Sequence, residues 1–228
     1  MKRILLLALS AGLLAQPGQV DAQVFYTGIP DATEYLQFLG GSGVSGGYGV
    51  QVGPYSGQFT TPLSPSFSIY CVDYNHYAKS GWVNATSLAS SSGLGNTRLG
   101  LNPTENFAAD YARYRQAAYL ATLFDTGGQP TSEWGRIHAA IWTLTSGVTP
   151  GGDTGAYLTS AWAAPSTFST DGWYVLTPTN ATYASSGQEF LMRTRVAVPE
   201  PAGMLLMATG LLMLAMVSRK RIQLERDA

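Results

Sequence analysis

The residue of this chain best suited to nucleophilic chemistry is its single cysteine, Cys71. A thiol becomes a strong nucleophile when a neighbouring imidazole raises its thiolate character, and His138 would serve that purpose. The carboxylate of Asp73 would orient such a base, although the sequence shows no oxyanion motif to complete the set. We therefore favour the other interpretation, in which Cys71 is a small buried side chain. His138 then packs where a strand meets a helix, with its hydrogen bonds satisfied.

A metal site is the second chemistry that these side chains allow. Cys71, Asp73, His76 and His138 all belong to residue types that bind zinc. The spacing of the first three matches no zinc signature, and a continued strand would put His76 on the opposite face from Cys71. We therefore predict no metal site and no other cofactor.

A β-strand is expected to position Cys71. Residues alternate in strand fashion from Phe67 to Asp73, which puts Phe67, Ile69, Cys71 and Asp73 on one face. The same kind of pattern predicts four further strands, and these cover Tyr48–Val52, Trp82–Thr86, Trp173–Leu176 and Phe190–Val196.

A helix is expected to position His138. Residues 104–145 are rich in Ala, Tyr and Arg, and their apolar side chains recur at helical spacing on both sides of a break at Asp125–Pro130. The second helix of this pair is predicted to begin after a cap at Thr131 or Ser132 and to end at Ser146–Gly147. Its apolar face holds Ile137, Ile141 and Leu144.

The motifs around Cys71 and His138 resemble the thioester domains of bacterial surface adhesins, over roughly residues 65–145. The aromatic-Cys motif of that family is matched by Tyr70–Cys71, and its apolar-Gln-x-x-apolar-apolar motif is matched by Ile137–Trp142. In those domains the Cys and Gln side chains join as a thioester that captures a nucleophile. His138 occupies the Gln position and has no carboxamide, so the resemblance implies the scaffold without the bond.

The N-terminal residues are typical of a secretory signal peptide. Met1–Arg3 is basic, Ile4–Leu14 is apolar, and a small-residue site follows at Val20–Ala22. We predict cleavage after Ala22, so that the exported chain begins at Gln23.

The C-terminal residues are typical of a membrane span. The apolar run Ala202–Val217 would extend about 24 Å as a helix, against a hydrocarbon core of about 30 Å. Snorkelling basic side chains can make up that difference. Arg219, Lys220 and Arg221 follow the run directly and predict that residues 218–228 stay in the cytoplasm.

The same segment, residues 198–228, resembles the PEP-CTERM sorting signal. The tripeptide Pro199, Glu200, Pro201 comes first, and an apolar helix and a basic end follow in order. In that family, exosortase, a membrane-embedded enzyme, is thought to cleave near the tripeptide. Such proteins belong to Gram-negative bacteria that often make exopolysaccharide and biofilm matrix. The resemblance implies export across the inner membrane and processing, and it implies no activity for the rest of the chain.

Residues 23–197 are expected to form one exported domain of the α+β class. We predict a β-rich sandwich or partial barrel with a helical hairpin inserted at about 104–145, and a C-terminal transmembrane helix outside it. A third, short helix is compatible with residues 155–163. The lone cysteine excludes an internal disulfide bond, so the core must hold by packing alone.

Composition bears on the class of partner. Charged residues are 12% of the chain and the formal net charge is −1, with no basic stripe that would indicate nucleic acid. Taken with the two ends, this favours a non-catalytic protein of the cell surface or extracellular matrix, linked to exopolysaccharide. The alternative is a reactive surface module that uses Cys71 and His138, either a degenerate thioester adhesin or a Cys–His enzyme.

Overall fold

A computed structural model describes most of the predicted exported domain, namely residues 26, 30, 32–46, 49–99, 101, 107–125, 128–164, 167–181 and 186–194. Both targeting segments, 1–22 and 198–228, lie outside the described residues. The predictions that fall there concern Ala22, Gln23, Pro199, Glu200, Pro201, Arg219, Lys220 and Arg221. None of the helices within the described ranges has the length and hydropathy that a membrane span requires.

The described strands form a closed antiparallel barrel. The strands are β1 Thr33–Gly40, β2 Tyr55–Phe59, β3 Phe67–Cys71, β4 Gly81–Ser87, β5 Trp173–Pro178 and β6 Phe190–Arg193. Neighbours around the barrel follow the order β1-β2-β3-β6-β5-β4, and β4 pairs with β1 to close it. The α+β class is thus confirmed, and the β part is a full barrel rather than a sandwich or a partial barrel.

Three α-helices lie between β4 and β5 in the part of the chain that the structure describes. They are α1 Phe107–Ala121, α2 Trp134–Ser146 and α3 Gly155–Trp162. The third helix expected at about residues 155–163 is present as α3. It packs on both α1 and α2, so the helical layer extends beyond the predicted hairpin at 104–145 to residue 162. The end of α2 at Ser146 is as predicted, since Gly147 follows in the left-handed conformation that suits a helix terminus.

Strand β3 separates two apolar clusters. Phe67, Ile69 and Cys71 point into the barrel interior, as their alternation predicted, while Tyr70 points to the helices. The helical layer covers the outer faces of β3, β5 and β6, where Tyr70 packs in one cluster with Val175 and Leu191. The buried helical side chains of this cluster include Tyr114, Ala118, Leu120, Ile137 and Ile141.

Two sequence predictions about local structure are wrong. The segment around Gln51 is not a strand, and Gln51 pairs with Ser45 only as an isolated bridge. The predicted caps of α2 are also absent from its start, because Thr131–Glu133 forms a turn of 3₁₀ helix and no side chain caps α2. The strand was predicted from alternation and the caps from a Thr-Ser pair. Both are local signals, and tertiary packing can override them.

Candidate functional site

The side chain of Cys71 is sealed at the end of β3. It has no solvent exposure, and its thiol donates to the carbonyl oxygen of Asp73 at 3.3 Å. The indole Nε1–H of Trp142 donates to Sγ at 3.4 Å. Burial raises the pKa of the Cys71 thiol to about 12, and the hydrogen bond from Trp142 offsets this only in part. At neutral pH the group is a protonated thiol, which is a poor nucleophile.

His138 lies beside Cys71, but its ring bonds to the backbone rather than to the thiol. Gly53 donates its N–H to Nδ1 at 2.9 Å, and Nε2 lies 3.0 Å from the carbonyl oxygen of Cys71. Because an amide N–H only donates and a carbonyl only accepts, the ring proton is on Nε2. Burial lowers the pKa of His138 to about 4, so the imidazole is neutral at pH 7.

The two candidate residues are therefore neighbours without forming a catalytic pair. Both nitrogens of His138 are used by main-chain groups, so the imidazole has no lone pair facing Sγ that would take its proton. Asp73 does not orient His138 either, because its carboxylate bonds to His76 and Arg98. Instead His138 stacks on Trp142, with ring centroids 4.5 Å apart and planes 13° apart.

The local backbone explains how the ring reaches this position. Gly53 has a φ of +97°, and a Cβ there would lie 2.2 Å from the ring of Trp134, so only glycine fits. Helix α2 is also hydrogen-bonded to the segment that follows β3. Thr145 donates its hydroxyl to the carbonyl of Val72, and the amide of Tyr74 donates to the Ser146 hydroxyl. These bonds hold α2 against the end of the barrel, with His138 facing inward.

A buried ion pair occupies the other side of this barrel end. The Arg98 Nε lies 2.7 Å from a carboxylate oxygen of Asp73, whose side chain is 5% exposed. The rest of the Arg98 guanidinium donates to the carbonyl oxygens of Ala181 and Gly187 and to the Ser186 hydroxyl. Alternation predicted that Asp73 shares a strand face with Cys71, and this prediction is wrong. Strand β3 ends at Cys71, and the following turn directs Asp73 out of the barrel interior.

The position of His76 follows from the same turn. The strand does not continue to His76, and the turn after β3 returns its Nδ1 to within 2.7 Å of the Asp73 carboxylate. His76 therefore shares a side with Asp73, while Cys71 and His138 form a separate contact inside. Among the described residues, His, Cys, Asp and Glu side chains form no group of three or more that would hold a metal ion.

Glu189 extends the Asp73–Arg98 pair into a network that sequence reasoning missed. Its carboxylate is buried and accepts from the Tyr114 hydroxyl at 2.6 Å, the Thr177 hydroxyl at 2.5 Å and the Arg98 amide at 2.9 Å. Burial raises the pKa of Glu189, and these three donors oppose that rise. The one available signal was a glutamate placed directly before an apolar strand in a chain with few charges.

Comparison with known proteins gives no match for this chain. A scan against protein families, a search of curated proteins and a search of solved structures each find no match. The geometry of the described residues and the motifs of the sequence therefore carry the functional argument.

Proposed function

We propose that this protein is an exported, non-catalytic component of the cell surface or extracellular matrix of a Gram-negative bacterium. The observation that carries the non-catalytic part is the Cys71–His138 contact. The thiol is buried and protonated, and both imidazole nitrogens bond to the main chain. Such a contact stabilises the barrel end and offers a substrate neither a nucleophile nor a base.

Export and sorting form the second part of the proposal, and the two ends of the sequence support it. After the signal peptide is removed, the apolar run Ala202–Val217 serves as a transient anchor with the basic end in the cytoplasm. An exosortase-type enzyme then cleaves near Pro199–Pro201 and releases the domain to the surface or the matrix. Exopolysaccharide is the partner that this placement suggests.

The experiment that tests this proposal is the intact mass of the protein recovered from the outside of its native cells. We expect a chain that begins at Gln23 and ends near Pro199–Pro201. Glu200→Ala should leave the tail attached, whereas the control Glu225→Ala, a like change within the tail, should be processed normally. A wild-type chain that still carries Arg219–Arg221 would contradict the exosortase step. A chain found only inside the cells would contradict export.

The second candidate function, a reactive surface module, rests on the proximity of Cys71 and His138. It requires an accessible thiol, and alkylation tests that requirement directly. We expect native Cys71 to stay unlabelled by iodoacetamide at pH 8, because the side chain is fully buried and its pKa is raised. Full labelling should follow in denaturing urea. Labelling of the folded protein faster than its rate of unfolding would restore the reactive module and count against a non-catalytic role.

A further inference from the structure

The helical layer leaves half of the barrel wall uncovered. The helices pack on the outer faces of β3, β5 and β6, whereas β1, β2 and β4 turn alternate side chains to solvent. We call this surface the open wall, and it consists of Thr33, Tyr35, Gln37, Leu39, Ser56, Gln58, Trp82 and Asn84. The structure describes the three strands completely. Their pairing fixes the open wall as one continuous sheet surface.

The open wall has an unusual composition for a protein surface. Its side chains are amides, hydroxyls, two aromatic rings and one leucine, and none is charged. The one acidic residue of β1, Glu34, is buried and does not belong to this surface. An ionic partner would lose hydration on these strands without gaining an ion pair from them, so the open wall fits an uncharged partner that is rich in hydrogen-bonding groups.

Trp82 is the largest side chain of the open wall. It is 50% exposed on a strand that pairs on both sides, so about half of its indole is available to a partner. Tyr35 lies directly opposite in the β1–β4 register, and the two rings meet edge to face at 5.6 Å and 87°. The contact with Tyr35 fixes the indole on one side. We call its exposed half the platform.

Polar groups surround this platform. The Thr33 hydroxyl donates to the side-chain oxygen of Asn84, two residue pairs along the β1–β4 ladder from Trp82. On the other side lies a cleft of about 380 Å³, whose polar lining includes Lys79, Ser80 and Asn180. That volume falls within the range of about 300–1,000 Å³ that is typical of ligand sites.

We propose that the open wall binds an uncharged stretch of a polysaccharide chain, with a sugar ring stacked on Trp82. A sugar ring has apolar C–H faces that suit an indole and a rim of hydroxyls that suits amides such as Asn84 and Asn180. A chain of such rings is long and flat enough to follow a sheet surface. This assignment refines the proposed function, on which its biological setting rests, because it names the partner class and its site.

Affinity electrophoresis tests the assignment with the full chain, produced recombinantly and kept in a mild neutral detergent. We expect migration to be retarded in gels that contain hydroxyethyl cellulose, dextran or galactomannan, by at least one of the three. Trp82→Ala should weaken this binding at least about tenfold, and Trp82→Tyr should retain most of it. The control is Trp162→Ala on α3, since Trp162 is 64% exposed and lies outside the open wall.

Two further readouts sharpen the test. Retardation should persist at high salt, and a loss of retardation there would mean ionic adsorption through groups such as Lys79 and would overturn the assignment. The absence of retardation by all three glycans would overturn it as well, as would a Trp82→Ala variant that loses self-association instead. Thermal unfolding of each variant separates lost binding from lost folding. Because the assay does not depend on export, its failure leaves the intact-mass test of the proposed function intact.

Discussion

Replacing His138 with alanine is expected to lower the free energy of unfolding by about 3–5 kcal/mol. The change removes a fully buried ring that stacks on Trp142 and contacts Phe124, and so creates a cavity. It also leaves two buried main-chain groups, the N–H of Gly53 and the carbonyl of Cys71, without a hydrogen-bond partner. Urea denaturation followed by tryptophan fluorescence measures the loss.

His138→Gln is the matched variant for that experiment. Its amide can donate to the Cys71 carbonyl and accept from Gly53, so it keeps both hydrogen bonds and loses the stacking. We expect it to recover about half or more of the stability that His138→Ala loses. Its intact mass should equal the mass calculated from the variant sequence, because the ring that Gln replaces faces the Cys71 carbonyl rather than Sγ. A mass lower by one ammonia would mean that the thiol had displaced the amide nitrogen, and the site would then be a latent thioester centre.

The same histidine makes stability depend on pH. The pKa of His138 falls from about 6.5 in the unfolded chain to about 4 in the fold, so the unfolded state binds the proton more readily. The stability that the neutral ring contributes is complete above pH 6.5 and is lost as the pH falls towards 4, by about 3 kcal/mol. His138→Gln should lack this component. Burial raises the pKa of Glu189, which adds an opposite slope to both proteins and cancels in their difference.

Removing Arg98 is the second substitution with a large expected effect. Arg98→Ala should cost about 3–5 kcal/mol, because it leaves the nearly buried Asp73 carboxylate with no guanidinium to offset its charge. It also leaves acceptors at Ala181 and Gly187 without their donor. Arg98→Lys should recover little, since one ammonium cannot reproduce the planar fork that reaches several acceptors at once.

Arg136 offers a control for the Arg98 experiment. Its side chain is 52% exposed and lies 3.5 Å from Glu133, so solvent already screens the pair. Arg136→Ala should change the free energy of unfolding by about 0.5 kcal/mol or less. If Arg98→Ala cost no more than this control, the network of Asp73, Arg98 and Glu189 would have no structural role, and its burial would need a functional explanation.

Periodicity predicted the elements that carry strong local patterns. The segments Trp82–Thr86 and Trp173–Leu176 lie within β4 and β5, and the alternation before Cys71 gave the inward face of β3 correctly. Strands β1 and β2 escaped notice because they lack such a pattern. In β1 a glutamate points inward, and in β2 a glycine lies at an inward position. Their places are set by neighbours that are distant along the chain.

The candidate site, like the fold, has a part that local sequence patterns predicted and a part that they missed. Sequence motifs brought Cys71 and His138 to attention, and the structure makes them neighbours. The motifs could not show that the imidazole bonds to the main chain, because that depends on Gly53, 85 residues before His138. The Asp73–Arg98–Glu189 network joins three separate turns of the chain, and no spacing along one segment encodes it. Long-range polar contacts of this kind carry no local signature.

The position of β6 has a mechanical consequence. Among the described strands it comes last in the chain, and it pairs along its length with both β3 and β5. Its side chains Phe190, Leu191 and Met192 are buried, and Thr194 adds a further main-chain bond to Gly172. A load applied at this end would pull β6 lengthwise, so that two rows of hydrogen bonds must shear together. A domain tethered at its C-terminus in flowing water would thus carry tension through a buried strand that is hydrogen-bonded on both sides.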